Sequence, residues 1–133
     1  MRKTASQVEA DIYTLVKTSA LKSAVNGDVY RAGMRPLNSK KEDIVVSFMT
    51  GLPGQVEVGT VTLSVFVPDM DNNGMRVKNI SRIKTLEGLC DTFANTFNAE
   101  YRMELGNTIQ AFKAENIDQH FIDVKLKFKR FSL

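Results

Sequence analysis

One cysteine, one histidine, no tryptophan and three prolines in 133 residues exclude several classes of protein at the outset. Cys90 has no partner for an internal disulfide, so a disulfide scaffold is ruled out. His120 stands alone, which removes most general acid/base, metal-centre and triad schemes, because these need a second histidine, cysteine or carboxylate at defined geometry. Charged or turn residues interrupt every strand-like segment, so no apolar run approaches the ~20 residues that cross a bilayer. Residues 1–25 pair Arg2 and Lys3 with a polar, mixed stretch instead of an apolar leader, which predicts a reducing cytoplasmic location. Neither sign of charge dominates. The formal net charge is only +3, with acids interspersed among the bases, so no global footprint demands nucleic acid.

What is present suits one folded domain, residues 1–133. Hydrophobic residues make up 43% and charged residues 25%, far from a disordered profile. Ser6 and Glu9 have capping-box spacing and predict a helix start. Val8, Ile12, Leu15 and Ser19 follow at helical spacing with Val16 widening the stripe, leaving Glu9, Asp11 and Lys17 wet. A break near Thr18 and Ser19, a last turn carrying Leu21 and Val25, and a left-handed closure at Asn26 and Gly27 are expected. A second helix is expected after a Ser81 cap, on the stripe Ile83, Leu86, Cys90, Phe93 and Phe97, fading between Asn98 and Gly106.

Val29 to Arg31 reads as a small edge strand and Gly33 to Glu42 as a loop. Asp43 to Thr50 and Gln55 to Val67 read as a hairpin reversed by Gly51, Pro53 and Gly54. Along the return strand the apolar parity changes between Val58 and Val61. Gly59 is therefore expected to mark a bulge or bend where the hairpin tip leaves the sheet. Pro68 to Asn79 reads as a polar loop. Ile109 to Glu115 and Phe121 to Phe131 form a second hairpin, the latter with Ile122, Val124, Leu126 and Phe128 alternating with charged residues. The expected fold is α+β: an antiparallel sheet of four to five strands with two amphipathic helices packed on one face.

No constellation suggests an enzyme, a metal or a cofactor. Cys90 sits on an apolar stripe and reads as core, and His120 reads as structural or surface. Asp69, Met70, Asp71, Asn72, Asn73 and Gly74 match the first half of an EF-hand loop, but Ile80 occupies the twelfth position, so an ordinary turn is expected. Arg76, Lys78, Arg82 and Lys84 run without an acid into a helix N-terminus, where the macrodipole disfavours cations. They are either a solvated cluster or, with Met70 and Met75, a contact for an acidic surface or phosphate. The row Lys125, Lys127, Lys129 reads as a solvated strand face that guards an edge. It lacks the interleaved aromatics of a single-strand nucleic-acid platform.

Five segments together resemble small bacteriophage tail-completion or tail-terminator proteins. They are Gly27-Asp28-Val29-Tyr30-Arg31, the Arg35-Pro36 loop, Glu42-Asp43-Ile44-Val45-Val46, Val65-Phe66-Val67-Pro68-Asp69 and His120-Phe121-Ile122-Asp123-Val124. The resemblance implies a non-enzymatic protein of host cytoplasm and virion. It also implies a ring, commonly a hexamer, that caps the tail tube and meets tail-tube and head-connector proteins, with DNA only in passing and no membrane. On that reading the tip Gly51, Leu52, Pro53 and Gly54 and the loop residues Met70, Met75, Arg76 and Lys78, with Arg82 and Lys84, form the candidate contact surface, chosen by expected exposure. The positive net charge departs from this picture, since strong attraction would retard DNA passing through a lumen. Another head–tail connector or small interaction module is the alternative, with nucleic-acid binding behind it.

Overall fold

Odd-numbered Val61, Leu63, Val65 and Val67 and even-numbered Ile122, Val124, Leu126 and Phe128 mark the apolar sides of two long strands. In the computed structural model, which describes residues 2–95, 98 and 100–131, these sides meet in register. With strands numbered in chain order, β3 (Val56–Pro68) and β8 (Gln119–Phe131) pair antiparallel, from Val56 opposite Phe131 to Pro68 opposite Gln119. All eight apolar residues are buried, each worth ~1.5–3 kcal/mol over full exposure.

Among the described residues the sheet runs β1-β2-β3-β8-β6, with β1 (Val29–Arg31), β2 (Ile44–Leu52) and β6 (Tyr101–Leu105) completing the path. β7 (Gln110–Lys113) pairs with the first half of β8, so β6 and β7 act as one broken edge strand. A separate ribbon is formed by β4 (Met70–Asn72) and β5 (Met75–Val77). The α+β class is as expected, but six strands plus the ribbon exceed four to five. The sheet is mixed, because β1 lies parallel to β2 through the irregular crossover of residues 32–43. The helices α1 (Ala5–Lys17), α2 (Ala20–Ala24) and α3 (Ile80–Ala94) share one core with one sheet face.

Several local expectations are corrected. Thr4 and Gln7 form the α1 capping box, two residues earlier than Ser6 and Glu9. Glu9 and Asp11 are half-buried and paired instead of freely solvated. Glu9 accepts from Arg31 Nε at 2.9 Å, and Asp11 accepts from the Tyr101 hydroxyl at 2.6 Å. The break after α1 is present, with Ser19 capping α2. Gly27 is not left-handed. It is there because an added Cβ would lie 2.2 Å from Asp43 Oδ1 and 2.4 Å from the Glu42 carbonyl oxygen. Asn79, not Ser81, caps α3, accepting from the Arg82 amide. The helix ends at Ala94 and β6 replaces the fading helix expected there, while Phe97 lies outside the described residues. The Pro68 to Asn79 loop holds the β4–β5 ribbon, turned by Asn73 and Gly74 at positive φ.

Gly59 interrupts nothing. Pairing with β8 runs straight through it, and the bulge sits across the hairpin between Phe48 and Thr50. The hairpin tip therefore stays in the sheet. Val56 and Val58 simply occupy the outer face, and Glu57 takes the inward position. A Cβ at Gly59 would stand 2.4 Å from the Thr50 carbonyl oxygen and 2.7 Å from the Phe128 ring. Gly59→Ala is expected to cost about 1–3 kcal/mol by overpacking. Urea unfolding checks this, and a loss below the error of the method would contradict the close approach.

Candidate interaction surface

The helices cover one side of the sheet only, and the other side is divided into two halves. Over the β7 end the crossover loop folds down, and Arg35 lies 3.9 Å above the centre of the Phe66 ring. Its Nε donates to Asp43 Oδ2 at 2.9 Å and its Nη2 to Gln119 Oε1 at 2.9 Å. Ser39 donates its hydroxyl to the same Asp43 oxygen. Beneath the loop Phe66, Phe121 and Phe112 continue as neighbouring rings at 5.9 Å spacings. The loop fastens this half without closing it: an open hollow of about 510 Å³ remains beside Arg35, Phe66 and Phe121, and Phe112 is exposed at its edge.

The other half is bare. Between the hairpin end and β6 lies a groove of about 420 Å³, lined by Leu52, Val58, Arg102, Glu104, Lys127 and Lys129 among others. Leu52 is 69% exposed, and Phe131 stands exposed beyond the groove. Arg102 lies directly opposite Lys129 on the neighbouring strand, a like-charge pairing that destabilises a sheet. Among the described residues, Arg102, Glu104, Lys127 and Lys129 enter no ion pair, whereas Lys125 is paired with Asp123. β8 is central, so the lysine row guards no edge, contrary to the sequence reading.

The candidate contact residues separate. Gly51, Leu52, Pro53 and Gly54 are exposed at the hairpin end, with Gly51 and Leu52 on the groove wall. Met70 and Met75 are exposed on the ribbon, and Lys78 and Lys84 are exposed near the start of α3. Arg76 donates to the Asp69 carbonyl oxygen at 2.5 Å. Arg82 does not join a basic patch. It donates to Glu42 through Nε at 2.6 Å and Nη2 at 2.9 Å, and to the Ala24 carbonyl. Glu42, buried at 6% exposure, brings a negative charge to a helix whose first turn holds no acid. Sequence spacing could not show this pair, which joins residues forty apart.

The reactive side chains are occupied. Cys90 is fully buried, and desolvation, helped by Glu87, pushes its thiol up to about 12. His120 Nδ1 lies 2.7 Å from buried Asp69, and no further hydrogen bond reaches the ring among the described residues. Among those residues no cluster of histidine, cysteine and carboxylates could hold a metal ion, and no helix is long and apolar enough to cross a membrane. No protein family matches this chain, and no curated protein is similar to it.

Hydrogen bonds from Arg82 hold Glu42 below the usual carboxylate range; burial opposes this and the Asn26 amide assists. Burial alone would raise Asp43, but bonds from Ser39, the Asp28 amide and Arg35 outweigh it and leave the group lowered. Such carboxylates contribute stability that is present above their unfolded pKa and lost as pH falls through the folded one. Stability in urea should therefore hold down to roughly pH 4.5 and decline below it. Arg82→Ala should cost about 3 kcal/mol at neutral pH and flatten the acid-side decline. Lys84→Ala should stay within about 0.5 kcal/mol. Equal effects of the two substitutions would contradict the separation of the cluster.

Proposed function

We propose that this chain is a non-enzymatic virion-assembly protein of the tail-terminator or tail-completion type, which forms a ring on the end of a phage tail tube and joins it to the head. The observation that carries the reading is the bare half of the sheet. There, exposed apolar residues adjoin cations that have no ion-pair partner among the described residues, a combination suited to a protein contact. The resemblance in the Gly27 to Arg31, Glu42 to Val46 and Val65 to Asp69 segments supplies the class. A closed ring needs a heterologous interface, in which each subunit offers two different surfaces. Tail-tube and head-connector proteins are the further partners. The chain would act in the host cytoplasm during assembly and remain in the virion, meeting DNA only in passing.

Another head–tail connector or a small interaction module would use the same surface without closing a ring. Light scattering over a wide concentration range, with and without purified tail tubes, distinguishes these. The ring reading predicts a discrete oligomer that caps the tubes. A chain that stays monomeric at every concentration and leaves tube growth unchanged would contradict it.

A further inference from the structure

The groove and the opposite end of the molecule carry complementary charge. The groove holds Arg102, Lys127 and Lys129 against the single acid Glu104, over an apolar wall of Leu52 and Val58. At the far end, residues 114–118 turn the chain between β7 and β8, with Asn116 at positive φ. Glu115 and Asp118 are exposed there and enter no ion pair among the described residues, with Phe112 exposed beside them. Lys113 is folded back onto the carbonyl oxygens of Ala114 and Ile117, which leaves the two carboxylates as the outward charges of the turn itself, while Lys40 and Arg76 line the hollow behind Asp118.

The two surfaces cannot meet within one chain. From Gln119, next to the turn, β8 runs to Lys127 on the groove, a span of roughly 26 Å at strand rise. Resting on the ring reading above, we propose that the acidic β7–β8 turn of one copy docks in the basic groove of the next. Glu115 and Asp118 then meet Lys127, Lys129 and Arg102, while Phe112 and Ile117 approach Leu52 and Val58. The contact is heterologous, so each docked copy presents a new groove and a new turn, and the series ends only by closing. It also adds acids beside the Arg102 and Lys129 opposition, where Glu104, opposite Lys127, is the single acid of the groove. A nucleic acid fits the groove less well, because its wall is aliphatic and Glu104 would face the phosphates.

Two charge-reversed variants test the pairing: K127E with K129E, and E115K with D118K. All four positions are exposed, and far-UV circular dichroism should match the unaltered chain. Light scattering should give each variant alone the mass of the single chain, 14.9 kDa. Mixed in equal amounts, the variants should assemble again, since the reversed groove accepts the reversed turn. Raising salt should dissociate the unaltered oligomer in the same way. An oligomer that both variants preserve would overturn this docking and leave the ring reading intact. Loss of assembly that mixing does not restore would also overturn it, as would loss of retention on single-stranded DNA with the oligomer mass unchanged. An unaltered chain that is monomeric in solution and on tail tubes would remove the ring reading itself.

Discussion

Thirteen successive cross-strand pairs join β3 to β8, and the rest of the structure is arranged around them. Because side chains alternate, this single register decides what faces the helices and what faces outward. Inward, the pairs Val61 with Leu126, Leu63 with Val124 and Val65 with Ile122 build the centre of the core. Outward, the same strands present Val58, Thr60 and Thr62 opposite Lys129, Lys127 and Lys125, and Ser64 opposite Asp123. A slip of one residue would bury the lysines and expose the core, so the outer face is set by the same constraint that stabilises the fold.

Both ends of the inward row are closed by charge. At one end Glu57 and Arg130 stand opposite each other, and Arg130 also donates to Glu100 at 2.7 Å. Lys3 ties the chain's start to this group through Asp11 and Glu100. Glu100 is held below the usual carboxylate range, first by Lys3 and then by Arg130. At the other end His120 meets Asp69, beyond Val67. The lone histidine is thus a terminal member of the inward row. Buried polar groups at these positions need partners, and they have them.

Periodicity made most of this legible. The stripe Val8, Ile12, Val16, the stripe Ile83, Leu86, Cys90, Phe93 and the alternation in β8 all follow from side-chain spacing alone. Three things did not. The parity change near Gly59 looks the same whether a strand bulges or places two valines on its outer face, and only the pairing partner decides. The strand Tyr101–Leu105 is too short for its alternation to outweigh the helix before it. The union of Arg82 with Glu42 and of Arg35 with Asp43 depends on where the crossover loop returns, which local sequence does not encode. The groove belongs to the same class. Its residues come from β2, β3, β6 and β8, and only tertiary pairing brings them together.

On the proposed function, the bare half of the sheet rather than a reactive side chain is the working surface. Amine labelling read lysine by lysine by mass spectrometry, on the assembled and the dissociated protein, tests it most directly. The account predicts that Lys127 and Lys129 become protected on assembly while Lys17 and Lys84, on the helices, label as before. Protection of the helix lysines with Lys127 and Lys129 still fully reactive would contradict it.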